Sequence, residues 1–193
     1  YCIYRCYKIP ARPFWNHWHT AGAFFASALI LGSLLIGVLF GLAEWRIGQP
    51  VQAFLSTLSW PLLLGLIVQA VSLFGHVRYL ESRGEEAAVS RMLMLTRFKK
   101  FYWGRHVSLS VLAIVGGLSA FGLVTGGWGL FLWVLALPIA ILHEVVGRAL
   151  FYVLVMPTTI PGSFFWGNKA FADHARKTGL SDRPQVGVIS PKH

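Results

Sequence analysis

Acidic side chains are what this chain has least of. Seven Asp+Glu stand against 17 Lys+Arg in 193 residues, and charged residues of both signs make up only 12% of the whole. An ordinary soluble domain carries about 25%, so a water-facing globular surface is excluded. Cysteine is nearly absent. Cys2 and Cys6, four apart, form no Cys-x-x-Cys and have no second pair, so a disulfide scaffold is excluded and neither a zinc site nor an iron–sulfur cluster is expected from this chain alone. The 20 glycines follow no triplet period, so collagen is excluded, and a hydrophobic share of 55% excludes disorder. No apolar run alternates in short segments as a membrane β-barrel requires.

What is present is long apolar sequence. Lipid cannot satisfy a bare backbone, so a segment crossing it must be a helix of about 20 mostly apolar residues. Four runs qualify: about 21–42, 51–75 (holding Pro61), 107–124 and 128–155, the last closed by Pro157 and Pro161. The expected fold is therefore all-α, a polytopic transmembrane helix bundle with four spans, forming a single integral membrane domain over 1–193. The short connection between the first two runs makes them antiparallel neighbours. Ser33, Gly37 and Gly41 in the first run, Gly116 with Ala120, and Gly122 with Gly126 are small residues at close-packing spacing.

The net charge, 17 − 7 = +10, is distributed unevenly. All basic residues except Arg46 and Arg148, that is 17 − 2 = 15, fall before the first run, between the second and third, or after the fourth. With four spans these segments share one side, which the positive-inside rule makes cytoplasmic. The charge is thus a topology signal before it is a sign of anionic lipid or an acidic partner. No soluble basic domain exists to bind nucleic acid.

The segment 78–106 is expected to lie along the interface, with a helix from Glu85 to Tyr102 whose acids lead and whose bases trail, the polarity that suits its dipole. Met92, Leu93, Leu95, Phe98 and Tyr102 would form its apolar stripe. Arg97, Lys99 and Lys100 make the same segment a candidate docking surface for a partner subunit. In the tail, 157–193, Asn168 and Gly179 would bound a short helix, with Phe164, Phe165 and Trp166 at the headgroups. The opening Tyr1 to Tyr7 reads as the cationic, aromatic exit of a helix, which suggests the C-terminal part of a longer protein.

The last run holds the chemical anomaly. His143, Glu144, Arg148 and Tyr152 lie inside an otherwise apolar helix, where an unpaired charge costs at least roughly 2.5 kcal/mol. Glu144 and Arg148 are four apart with the acid first, the spacing of a helical ion pair, and Tyr152 extends that row. The pair either locks the helix to a neighbour or lines a cavity for a polar ligand or a proton. His143 points away from Glu144, as a hydrogen-bonded histidine or as a ligand. A second row, Gln69, Ser72 and His76, shares one face of the second run. Such a row offers a quinone head group donors for its carbonyl oxygens and a titratable group for its proton, or else bonds to neighbouring helices. Paired haem ligation is not expected: His76 and His106 sit at run ends and His143 stands alone. His17 and His19, within Trp15-Asn16-His17-Trp18-His19, read as part of an aromatic belt.

The arm Ile9-Pro10-Ala11-Arg12-Pro13-Phe14-Trp15-Asn16 and the run Glu144-Val145-Val146-Gly147-Arg148-Ala149-Leu150-Phe151-Tyr152 resemble the C-terminal half of the membrane-anchor subunit of the dimethyl sulfoxide reductase family. The tail from Pro157 to Lys169 is similar to those of anchors in sulfite-oxidising complexes. The resemblance implies eight spans, of which these would be the last four, no haem or bound metal in the chain, and a bacterial inner-membrane location. It implies electron exchange between the membrane quinone pool, menaquinone or ubiquinone, and an iron–sulfur subunit that serves a molybdopterin catalytic subunit. The family's quinol-binding histidine belongs to its N-terminal half and has no counterpart here; what matches is Glu144, Gly147, Arg148, Phe151 and Tyr152. Two other readings stand beside it: half of a small-molecule transporter, for which a buried Glu–Arg pair and broken helices would be natural, and a purely structural membrane tether.

Overall fold

The computed structural model describes residues 2–9, 12, 14–82, 85–155 and 177. Every regular element among them is an α-helix, and no strand occurs. In chain order these are α1 (Cys2–Tyr7), α2 (Trp18–Arg46), α3 (Gln52–Ser82), α4 (Glu85–Leu95), α5 (Lys99–Ala120) and α6 (Gly126–Val153). The tail features, Pro157, Pro161, Asn168, Gly179 and the aromatics at 164–166, lie outside the described residues.

Three helices, α2, α3 and α6, are long and apolar enough to cross a membrane. Apolar residues cover them all round, with Phe25, Phe40, Ile67, Phe74, Phe131 and Leu142 among those facing outward, the pattern of a helix whose surroundings are also apolar. This points to a membrane protein. The sequence led us to expect four spans, and α5 does not meet the same standard. Its first turns carry Lys99, Lys100, Arg105 and His106. The remainder, Val107 to Ala120, rises about 21 Å at 1.5 Å per residue, short of a hydrocarbon layer of about 30 Å.

The four long helices close a ring: α2 packs on α3, α3 on α5, α5 on α6, and α6 back on α2. The short connections from α2 to α3 and from α5 to α6 force those pairs antiparallel. Both use the same device. Gly48 (φ +74°) and Gly122 (φ +66°) adopt the left-handed conformation just past α2 and α5. There the Gln49 N–H reaches back to Glu44 O, and the Leu123 N–H to Leu118 O. This is why α5 stops at Ala120 rather than running to Val124.

Small residues set how close the helices come. A Cβ on Gly37 would collide with the Trp133 ring, and one on Gly41 would fall 2.7 Å from Leu130 Cδ1, so α6 presses its large side chains into a groove on α2. Trp133 is fully buried there, and its indole N–H donates to Ser119 Oγ at 2.8 Å. A central cluster of Ile30, Leu34, Leu55, Leu62, Leu112 and Trp133 fills the bundle. A second cluster, with Phe14, Trp15, Leu80, Met94 and Phe151, closes its basic end.

That second cluster corrects two expectations. The helix expected over Glu85–Tyr102 breaks at 96–98, where the Thr96 hydroxyl donates to Met92 O and the chain turns upward; Lys99 to Tyr102 become the first turn of α5. Its buried face is Ala87, Ser90 and Met94, while Met92 is exposed. The arm also is not simply a belt. Trp18 is exposed, but Trp15 is buried, stacks on Phe151 with centroids 5.4 Å apart and donates its indole N–H to Phe151 O at 2.8 Å.

Candidate functional site

Because α2 starts where α3 and α6 end, the N-terminal turns of α2, the last turns of α3 and α6 and the first turns of α5 meet at the basic end of the bundle. Between them lies a cavity of about 40 Å³, room for a few water molecules. Its polar lining includes Gln69 and His76 from α3, Glu144 and Arg148 from α6, and Arg105 from α5. Two rows that the sequence placed on separate helices thus face one space.

The ion pair expected between Glu144 and Arg148 is not formed. Among the described residues the salt bridge present is Arg91–Glu81, at 3.1 Å near the surface. Instead both side chains turn to Ser27 of α2. Ser27 Oγ lies 2.5 Å from Glu144 Oε2, and Arg148 Nη2 donates to the same hydroxyl at 3.5 Å. The Arg148 guanidinium lies over the Phe24 ring, 3.9 Å from its centroid, which takes up charge that the carboxylate would otherwise meet directly. Glu144 is 8% exposed, and its Oε1 has no hydrogen-bond partner among the described residues.

Arg105 is the residue that sequence reasoning passed over. It was counted only as one more charge on the basic side, yet its guanidinium crosses between α5 and α6 at Gly147, where a Cβ would fall 2.7 Å from Nη2. Here lies the reason for the glycine in Glu144-x-x-Gly147-Arg148: any side chain would displace the guanidinium. Ser27 gave no signal at all, since a lone serine in an apolar run usually bonds to its own helix.

The remaining sequence candidates divide. Ser72 is fully buried, tucked against Gly22 of α2, where a Cβ would collide with its hydroxyl. Tyr152 turns away from the cavity; its hydroxyl meets the Tyr7 hydroxyl at 2.6 Å, and that bond together with burial raises the Tyr7 phenol above its ordinary value. His143 faces α5 instead. There it helps line a larger cavity, about 270 Å³, with Lys100, Arg105 and Ser108 as polar wall and Ile139, Leu142 and Val146 as apolar wall. Ser108 Oγ lies 2.9 Å from Arg105 O and 2.8 Å from His143 Nδ1, so its one hydrogen serves one of the two and the tautomer of His143 follows from which. His143 Nε2 is buried and without a partner among the described residues. Arg97, Lys99 and Lys100 are exposed around the turn into α5.

Every matching residue of the run Glu144 to Tyr152 therefore touches another element: Glu144 and Arg148 reach α2, Gly147 admits Arg105 of α5, Phe151 holds the arm, and Tyr152 holds α1. Arg105 belongs to both cavities, one on each side of Gly147. Comparison with family models, with curated proteins and with solved structures finds no match to this chain.

Proposed function

We propose that this chain is the membrane-anchoring, quinone-reactive part of a molybdopterin oxidoreductase of the dimethyl sulfoxide reductase type, set in a bacterial inner membrane with α5 as its fourth span. The single observation that supports this most is the pair of cavities joined at Arg105. A head group entering from the lipid needs a flat apolar slot with donors for its carbonyl oxygens. The 270 Å³ cavity offers Ile139, Leu142 and Val146 for the first and Arg105 and Lys100 for the second. Oxidation of a quinol releases two electrons and two protons. The electrons pass to an iron–sulfur cluster of a partner docked on the basic turn at Arg97, Lys99 and Lys100, and that partner passes them to the molybdopterin subunit. The protons need acceptors beside the ring, and His143 and Glu144, whose Nε2 and Oε1 are buried without partners among the described residues, line the two cavities that share Arg105. The few waters that the smaller cavity can hold connect Glu144 toward the basic face.

The test uses the complex purified with its partners. Molybdenum and iron should co-isolate with the full-length protein. Gly104 lines the larger cavity, and a Cβ there meets no atom within 4 Å, so Gly104→Leu fills the slot without straining the helix. Quinol-driven turnover should fall while turnover driven by a soluble dye feeding the partner subunits is kept. Absence of molybdenum and iron, with solute uptake by the protein alone in vesicles, would replace this reading with a transporter.

A further inference from the structure

We infer that His17, His19 and His76 form a binding site for one divalent metal ion of the nitrogen-preferring class, zinc or copper(II). The antiparallel α2–α3 hairpin brings the residue before α2, the second residue of α2 and a residue near the end of α3 to one level. One ligand nitrogen from each ring lies within 4.8 Å of the others. His19 and His76 stack at 3.9 Å between centroids with planes 17° apart, and His17 stands 5.9 Å from His76. His76 is 3% exposed, and neither of its ring nitrogens has a hydrogen-bond partner among the described residues; His19 Nδ1 is in the same state. Buried imidazole nitrogens are ordinarily satisfied, and two adjacent rings with orphaned lone pairs ask for a shared electrophile. Three neutral imidazoles without thiolate or carboxylate suit zinc or copper(II) and not magnesium or calcium.

Binding requires the rings to move. Metal–nitrogen bonds of about 2.0–2.1 Å hold tetrahedral ligands about 3.4 Å apart, so the rings must close in. Lone pairs lie in the ring planes, so the stacked pair must also tilt apart. His17 precedes the helix, where its ring lies 4.2 Å from that of Tyr79 and its Nδ1 accepts the His19 N–H at 3.2 Å, a long cap bond that gives way if that nitrogen takes up the proton. Three protein ligands leave a fourth position for water or an anion. Bound metal would tie the arm to α3 at the basic end. This site does not rest on the quinone reading, because its readout is metal per chain.

Chelator-treated protein in detergent should take up zinc with saturation at one ion per chain in calorimetry, and copper(II) should show nitrogen hyperfine structure in its electron paramagnetic resonance spectrum. His17→Ala, which also removes the cap bond to the His19 N–H and is therefore checked beside His17→Asn as a cap-retaining variant, and His76→Gln should each weaken binding by about 100-fold or more, since even a residue behind a ligand is worth 10- to 100-fold. His106→Ala, on a ring that bonds to Tyr102 O, should leave it unchanged. Lack of saturable binding, or binding indifferent to both His17→Ala and His76→Gln, overturns the site and leaves water as the partner of these rings.

Discussion

Ser27 has one hydrogen and two claimants for it. Its Oγ lies 2.7 Å from Ala23 O and 2.5 Å from Glu144 Oε2. One hydrogen serves one acceptor at a time, so Glu144 shares its hydroxyl partner with the backbone of α2. Ser27→Ala should remove the partner shared by Glu144 and Arg148 and destabilise the protein by about 1–3 kcal/mol, read as a lowered thermal midpoint in detergent. On a Glu144→Gln background the same change should cost less, because the charge it serves is already gone. Strict additivity of the two changes would show that the serine does not link them. The sequence could mark Glu144 and Arg148 as needing compensation, but not that a second helix supplies the mediator, because spacing along one helix says nothing of what faces it.

At the scale of elements, glycines decide which faces touch. Gly37 and Gly117 both sit inside long helices, yet a Cβ on the first collides with Trp133 and one on the second meets nothing within 4 Å. Gly37→Leu should overpack the α2–α6 contact and cost about 1–3 kcal/mol in thermal unfolding. Gly117→Ala should be neutral or slightly stabilising, as expected for alanine in a helix interior. Equal effects would mean that α2 and α6 do not pack through this groove. The small-residue row Ser33, Gly37, Gly41 was legible from its spacing, and so were the three longest apolar helices. What was not legible has physical causes. The break at 96–98 is imposed by burying Met94 under the bundle, a tertiary demand stronger than the helix propensity of Glu85 to Tyr102. The histidine cluster was within reach of the sequence, since antiparallel neighbours put the start of α2 beside the end of α3. Reading His17 and His19 only against their tryptophan neighbours hid it.

For the whole molecule the open contest is between the ring of four helices and the length of α5. Ring closure sets α5 alongside three helices that are long enough to cross, and the connections at its two ends leave it antiparallel to both neighbours. Its apolar part is short, but Phe121 and Leu123 beyond its end are each 71% exposed and extend the greasy surface on the far side. On the near side the stem of the exposed Lys100 carries its charge toward the headgroups, the accommodation that short spans commonly adopt. If α5 crosses, the turns after α2 and after α5 lie on one side and the turn into α5 lies on the other. Both native cysteines are free and exposed, so they must first be changed to alanine. Single cysteines then placed at Gln49 and at Thr125 should react with an impermeant maleimide from the same face of sealed vesicles, and one at Lys100 only from the opposite face. Labelling of 100 and 125 from a common face would mean that α5 enters and leaves on one side; the basic residues of α4 and α5 would then no longer share a face with the end of α6, and the topology read from charge would fail with it.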